Sequence, residues 1–144
     1  MSNNAANIQA MYQELILDHY RRPRNKGELE GAHKTIAMKN PLCGDEVYLH
    51  LTLEGDRVAN ISFTGRGCSI SHAAASMITQ AVKGKNSDEA ETLGKRYRQM
   101  IMGDKEAATD KSLGQLRALS GVSKFPARVK CALLAWNALE EGLK

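Results

Sequence analysis

The run Asp45-Glu46-Val47-Tyr48-Leu49-His50-Leu51-Thr52-Leu53-Glu54-Gly55-Asp56 alternates apolar and polar side chains and then turns. Val47, Leu49, Leu51 and Leu53 fall on one side and Tyr48, His50 and Thr52 on the other, the two-residue period of a strand with one buried face. Glu54-Gly55-Asp56 sends the chain back, and Arg57 to Thr64, with Ile61 and Phe63 on a common side, returns as the second strand of an antiparallel hairpin. His50 faces away from the leucines and is expected at the surface.

Both ends of this hairpin carry chemistry. Pro41-Leu42-Cys43-Gly44-Asp45 precedes the first strand and sets a thiol two residues from a carboxylate, with Gly44 free to turn so that both converge. Gly65-Arg66-Gly67-Cys68 follows the second strand, and antiparallel pairing brings the two ends together. A helix is predicted from about Ser69 to Lys83, with Ile70, Ala74, Met77, Ile78 and Ala81 on one side and Gly84 as its stop. Cys68 therefore stands at a helix N-terminus, where backbone N–H groups and the dipole favour a thiolate.

The third cysteine, Cys131, falls in a last helix that begins near Ser123 to Pro126 and carries the stripe Val129, Ala132, Leu133, Trp136 and Leu139. Cys131 lies off that stripe. Helical geometry puts Arg128 and Ala135 on its side and Lys130 on another, so Arg128 is either the cation beside the cysteine or an exposed helix arginine.

Any one of the three cysteines alone reads as an inert packing residue. Three cannot all pair within one chain, and a reducing compartment disfavours structural disulfides. Together they read as a metal or reactive-thiol site. Cys43, Asp45, Cys68 and Cys131 supply the four donors of a tetrahedral zinc shell.

The remaining chain supports one domain, 1–144. Met1 to Ala5 is expected to be disordered, and a helix then runs to about Arg22, where Pro23 stops it. His19 continues its stripe and reads as a packed or partly exposed side chain rather than a ligand. Arg24 to Lys34 reads as a loop and Thr35 to Met38 as a short strand. A further helix is predicted from Ser87 to about Met102, and Gly103 to Ser120 is mixed, with a short helix. Of 144 residues 42% are hydrophobic, enough for an ordinary core, and the formal net charge is +4. No stretch approaches the roughly 20 apolar residues of a membrane span, so no membrane contact is expected and the location is read as cytoplasmic. The basic run Arg21-Arg22-Pro23-Arg24-Asn25-Lys26 lacks aromatic interleaving, which favours a solvated or partner-docking face over nucleic acid.

Asn40-Pro41-Leu42-Cys43-Gly44-Asp45, Gly65-x-Gly67-Cys68-x-Ile70-Ser71 and Arg128-x-x-Cys131-x-Leu133-x-x-Trp136 resemble the IscU/NifU-like family of iron–sulfur cluster assembly proteins over nearly the whole chain. The likeness is to its SufU branch. Lys130 stands where Isc-type scaffolds have a histidine, and the segment around 84–121 looks like a SufU-type insertion. The resemblance implies an α+β fold, a small antiparallel β-sheet packed against several helices. It also implies Cys43, Asp45, Cys68 and Cys131 as metal-site residues.

By the same resemblance the chain is a zinc-dependent sulfurtransferase. Persulfide sulfur would come from a PLP-dependent cysteine desulfurase of the SufS type, with Cys43 as acceptor, and pass to a downstream Suf-type scaffold. A partner residue replacing Cys43 on Zn²⁺ would unmask the thiolate, and Arg128 would partly offset the site's negative charge. Two rivals remain, an IscU-type scaffold that builds a [2Fe–2S] cluster on the same residues and a structural zinc module.

Overall fold

The computed structural model describes residues 2–42 and 44–144, with side chains from residue 7 onward. Three strands form one antiparallel sheet in the order β1-β2-β3, with β1 at Lys34–Asn40, β2 at Asp45–Glu54 and β3 at Arg57–Arg66. The predicted hairpin is β2–β3, and its register pairs Glu46 with Arg66 and Leu49 with Phe63. The short strand upstream is longer than its apolar pattern suggested. It pairs with β2 along its whole length, from Lys34 opposite Leu51 to Asn40 opposite Asp45. β1 and β2 thereby make a second hairpin.

Helices cover one face of the sheet. Val47, Leu49, Leu51, Ile61 and Phe63 are buried there, against α2 (Ser69–Val82) and α5 (Pro126–Gly142). On the opposite face His50 corrects the sequence reading: it does point away from the leucines, but it is only 9% exposed. Its Nδ1 pairs with the Thr35 hydroxyl at 3.0 Å and its Nε2 with that of Thr64 at 2.9 Å. Two threonines on neighbouring strands clasp the ring, and only the strand register reveals them.

The first helix, α1, spans Ser2–Arg21 and so includes residues expected to be disordered; alanines at 5 and 6 favour helix there. His19 is fully buried, with Nδ1 2.7 Å from the Ser76 hydroxyl and Nε2 3.3 Å from Gln115 Oε1. Ser76 Oγ also accepts the Arg24 N–H at 2.8 Å, which fastens the segment after α1 to α2. Arg22 and Arg24 both grip Asp18.

The helix predicted from Ser87 is α3 (Ser87–Ile101), capped by Asn86 and Glu89 in a reciprocal pair. A single turn, α4 (Lys105–Ala108), follows. A 3₁₀ run over Lys111–Lys124 comes next, bent at Gly114, where φ is 53°. Tyr97 holds α3 to α5: its ring stacks on Trp136 at 5.4 Å and its hydroxyl donates to the Ala132 carbonyl at 2.6 Å. Among the described residues no helix is long and apolar enough to cross a membrane.

Candidate metal centre

The β1–β2 turn, the β3–α2 junction and the second turn of α5 meet at one corner of the molecule. Gly44 adopts φ 73°, a left-handed conformation that glycine accepts without strain, and donates its N–H to the Asn40 carbonyl at 2.9 Å. This closes the turn and starts β2 with the Asp45 side chain buried, 1% exposed.

Asp45 then reaches across to the end of β3. Its Oδ1 accepts the backbone N–H of Cys68 at 2.9 Å, and its Oδ2 lies 3.7 Å from Cys68 Sγ. Gly67 makes that approach possible. A Cβ there would sit 2.5 Å from both Asp45 Oδ1 and Ser71 Oγ. Cys68 is the N-cap of α2 and makes no side-chain capping bond, so its sulfur is free to face the centre. Ser71 is buried one turn on; its hydroxyl donates to the Cys68 carbonyl at 3.1 Å and lies 3.9 Å from the sulfur.

Cys131 departs from the sequence reading in one respect. It is fully buried, and so are Ala132, Leu133, Leu134, Ala135 and Trp136 after it. The sheet, α2, α3 and the 3₁₀ run surround α5, which therefore has no solvent side here for an off-stripe residue to occupy. What marks Cys131 as more than a packing cysteine is its company.

The ligand atoms of Asp45, Cys68 and Cys131 all lie within 4.8 Å of one another. Zinc–sulfur bonds of about 2.3 Å give tetrahedral edges of about 3.8 Å, so donors at this separation need only small movements to share one ion. The donor set, thiolates with one carboxylate, also suits such an ion. Cys43, the fourth expected donor, lies outside the described residues.

Arg128 is on the Cys131 side of α5, as the helical geometry requires. The charge of Cys68, then a hydrogen bond to Cys131 and the charge of that second sulfur, push its guanidinium above the ordinary arginine value. One exposed cation thus spans both thiols. Lys130 is exposed too, and an ammonium has no lone pair to offer a metal.

His72, one turn beyond Cys68, escaped the sequence reading, although the four-residue spacing was visible. Its ring packs edge-on between Tyr20 and Phe63, with centroids 6.1 and 6.2 Å away. Burial, reinforced by Lys26, pushes its pKa down, against weaker opposing effects of the Cys68 carbonyl, Asp45 and the Gly65 carbonyl. It contributes a neutral aromatic wall behind Cys68.

The model of the NifU-like N-terminal domain matches residues 11–141. A Bacillus subtilis protein named zinc-dependent sulfurtransferase SufU is 50% identical over 143 residues, which cover 99% of this chain and 95% of that protein. A Streptococcus pyogenes protein named iron–sulfur cluster assembly scaffold IscU is 41% identical over 137 residues, covering 95% and 85%. A crystal structure from Fervidobacterium islandicum, of a proposed iron–sulfur cluster assembly scaffold for the SUF system, superposes with a TM-score of 0.84 at 36% identity, covering 91% of this chain and 95% of that one. The match over residues 11–141, together with relatives 41–50% identical over nearly the whole chain, places this chain in the NifU-like N-terminal domain family, and Asp45, Cys68 and Cys131 converge within it.

Proposed function

We propose that the chain is a zinc-dependent sulfurtransferase that takes persulfide sulfur from a PLP-dependent cysteine desulfurase of the SufS type and hands it to a downstream Suf-type assembly scaffold. The observation that carries this reading is the convergence of Asp45, Cys68 and Cys131 under Arg128, in a chain half identical to a protein named for that activity. Cys43 completes the donor set. Residues 84–121, which build α3, α4 and most of the 3₁₀ run, are the SufU-type insertion of this reading.

Bound zinc would hold the cysteines ionised at neutral pH while damping their nucleophilicity. The chain's own residues set the rest. Cys131 is sealed in the core, and Cys68 is tied through its N–H to Asp45 and through its carbonyl to Ser71. Releasing either sulfur would disturb packed backbone. Cys43 has exposed chain neighbours, Leu42 and Gly44, and is assigned as the acceptor. Its thiolate attacks the outer sulfur of the donor's cysteine persulfide. The new Cys43 S–S bond forms as the donor S–S bond breaks, and the electron pair leaves on the donor's cysteine thiolate. Arg128 faces the negative charge that gathers there.

The test is anaerobic metal analysis of purified protein combined with a desulfurase assay. About one zinc per chain, no visible absorption and stimulated cysteine turnover are expected. A coloured iron-bearing protein without stimulation would move the assignment to the cluster scaffold, the activity in the name of the Streptococcus relative.

A further inference from the structure

We infer that the metal centre opens onto a docking surface anchored by Leu42 and Phe125, and that its occupant is a carboxylate-rimmed face with apolar sockets on the sulfur-donating protein. The inference rests on the function proposed above and deepens it.

Leu42 is 82% exposed and Phe125 is 61% exposed. Scattered apolar side chains at a surface are ordinary, but these two flank one centre on separate elements. Leu42 lies in the β1–β2 turn, three residues before Asp45, hence within about 10 Å along the chain. Phe125 is the N-cap of α5, and its carbonyl accepts the Arg128 N–H at 2.7 Å. Six residues of helix, about 9 Å, separate it from Cys131. Neither side chain joins the core that the rest of its element enters.

The charge around the anchors selects the partner. Lys39 one residue from the end of β1, Arg66 at the end of β3 two residues before Cys68, Lys124 next to Phe125 and Lys130 next to Cys131 are all exposed. Glu46 is the carboxylate among them; Lys39 approaches it to 4.0 Å and Arg66 to 3.6 Å. The cations outnumber what this carboxylate and the site's own negative charge can neutralise. A second copy of the chain would bring one basic rim against another, which electrostatics opposes. An acidic rim on a protein that presents a persulfide satisfies both the charge and the chemistry.

The test uses the full-length zinc-loaded protein and a purified SufS-type desulfurase with cysteine, titrated at low and high salt. Phe125→Ser and Leu42→Ser are each expected to raise the half-saturating concentration about tenfold, with zinc content and maximal rate kept. Lys124→Glu should raise it at low salt and flatten its salt dependence. Unchanged half-saturation in both serine variants would overturn the inference. So would a parent dimer that the serine substitutions dissolve, because the anchors would then serve self-association. If the parent accepts no sulfur, the functional reading fails. Direct binding isotherms of the same pair still judge the surface: weakening in the serine variants upholds it, and no binding or equal binding overturns it.

Discussion

The Cys68 N–H and Asp45 Oδ1, 2.9 Å apart, join the start of β2 to the start of α2. A single carboxylate thus closes the hairpin ends and is also proposed as a metal donor. The two roles separate by substitution. Asp45→Asn keeps an acceptor for the N–H but loses the anionic donor, whereas Asp45→Ala loses both. Both variants should bind zinc more weakly in chelator competition, and the metal-free alanine variant should be about 1–3 kcal/mol less stable than the asparagine variant in denaturant melts. Equal stability would assign Asp45 to the metal alone.

Gly67→Ala should damage the centre without replacing any of the proposed donors. Its new methyl would press on Asp45 Oδ1 and Ser71 Oγ, both buried. Displacing the carboxylate should cost about 10- to 100-fold in zinc affinity, the scale seen when groups that orient ligands are lost. Undiminished affinity would mean that the junction relaxes freely.

Arg128→Ala and Lys130→Ala should differ in maximal sulfur-transfer rate. Of the two, Arg128 is the one that spans both sulfurs, so its loss is expected to slow transfer about tenfold or more while the fold persists. Lys130→Ala should keep the parent rate and metal content. Equal rates for the two variants would remove Arg128 from the chemistry.

Cys43→Ser should abolish sulfur acceptance even where zinc is retained. Brief anaerobic incubation with desulfurase and cysteine should add one sulfur to the parent, and peptide mapping should find it on Cys43. Sulfur on Cys68 or Cys131 with Cys43 unmodified would overturn the assignment.

Burial lowers the pKa of His19 below its ordinary 6.5, against a weaker opposing hydrogen bond from Gln115. The unfolded chain therefore takes up the proton first. The stability this provides is complete above about pH 6.5 and is lost as pH falls through the lower folded value. Melting temperatures of parent and His19→Gln between pH 5 and 8 should show a steeper acid decline in the parent. Parallel curves would contradict it.

The sequence revealed the β2–β3 hairpin because one face of each strand is buried and the other is not. Cys68 was legible at the head of α2, because the glycines before it and the apolar spacing after it bracket the junction. The full burial of Cys131 was not legible for the complementary reason: a helix packed on nearly all sides loses the polar face that periodicity detects. His50 depends on threonines 15 residues before it and 14 after it, which register alone brings together. The 3₁₀ run was legible only as a short helix, because Leu113, Leu116 and Leu119 recur every three residues while the bend at Gly114 interrupts the run.

The three hydrogen bonds around His19 have a directional sense. Gln115 Oε1 can only accept, so the proton of the neutral His19 ring sits on Nε2. Nδ1 is then the acceptor of the Ser76 hydroxyl, whose oxygen in turn accepts the Arg24 N–H. A single imidazole tautomer is therefore selected by groups from three other segments, and its nitrogen resonances give the interior a built-in spectroscopic reporter of whether those segments are assembled.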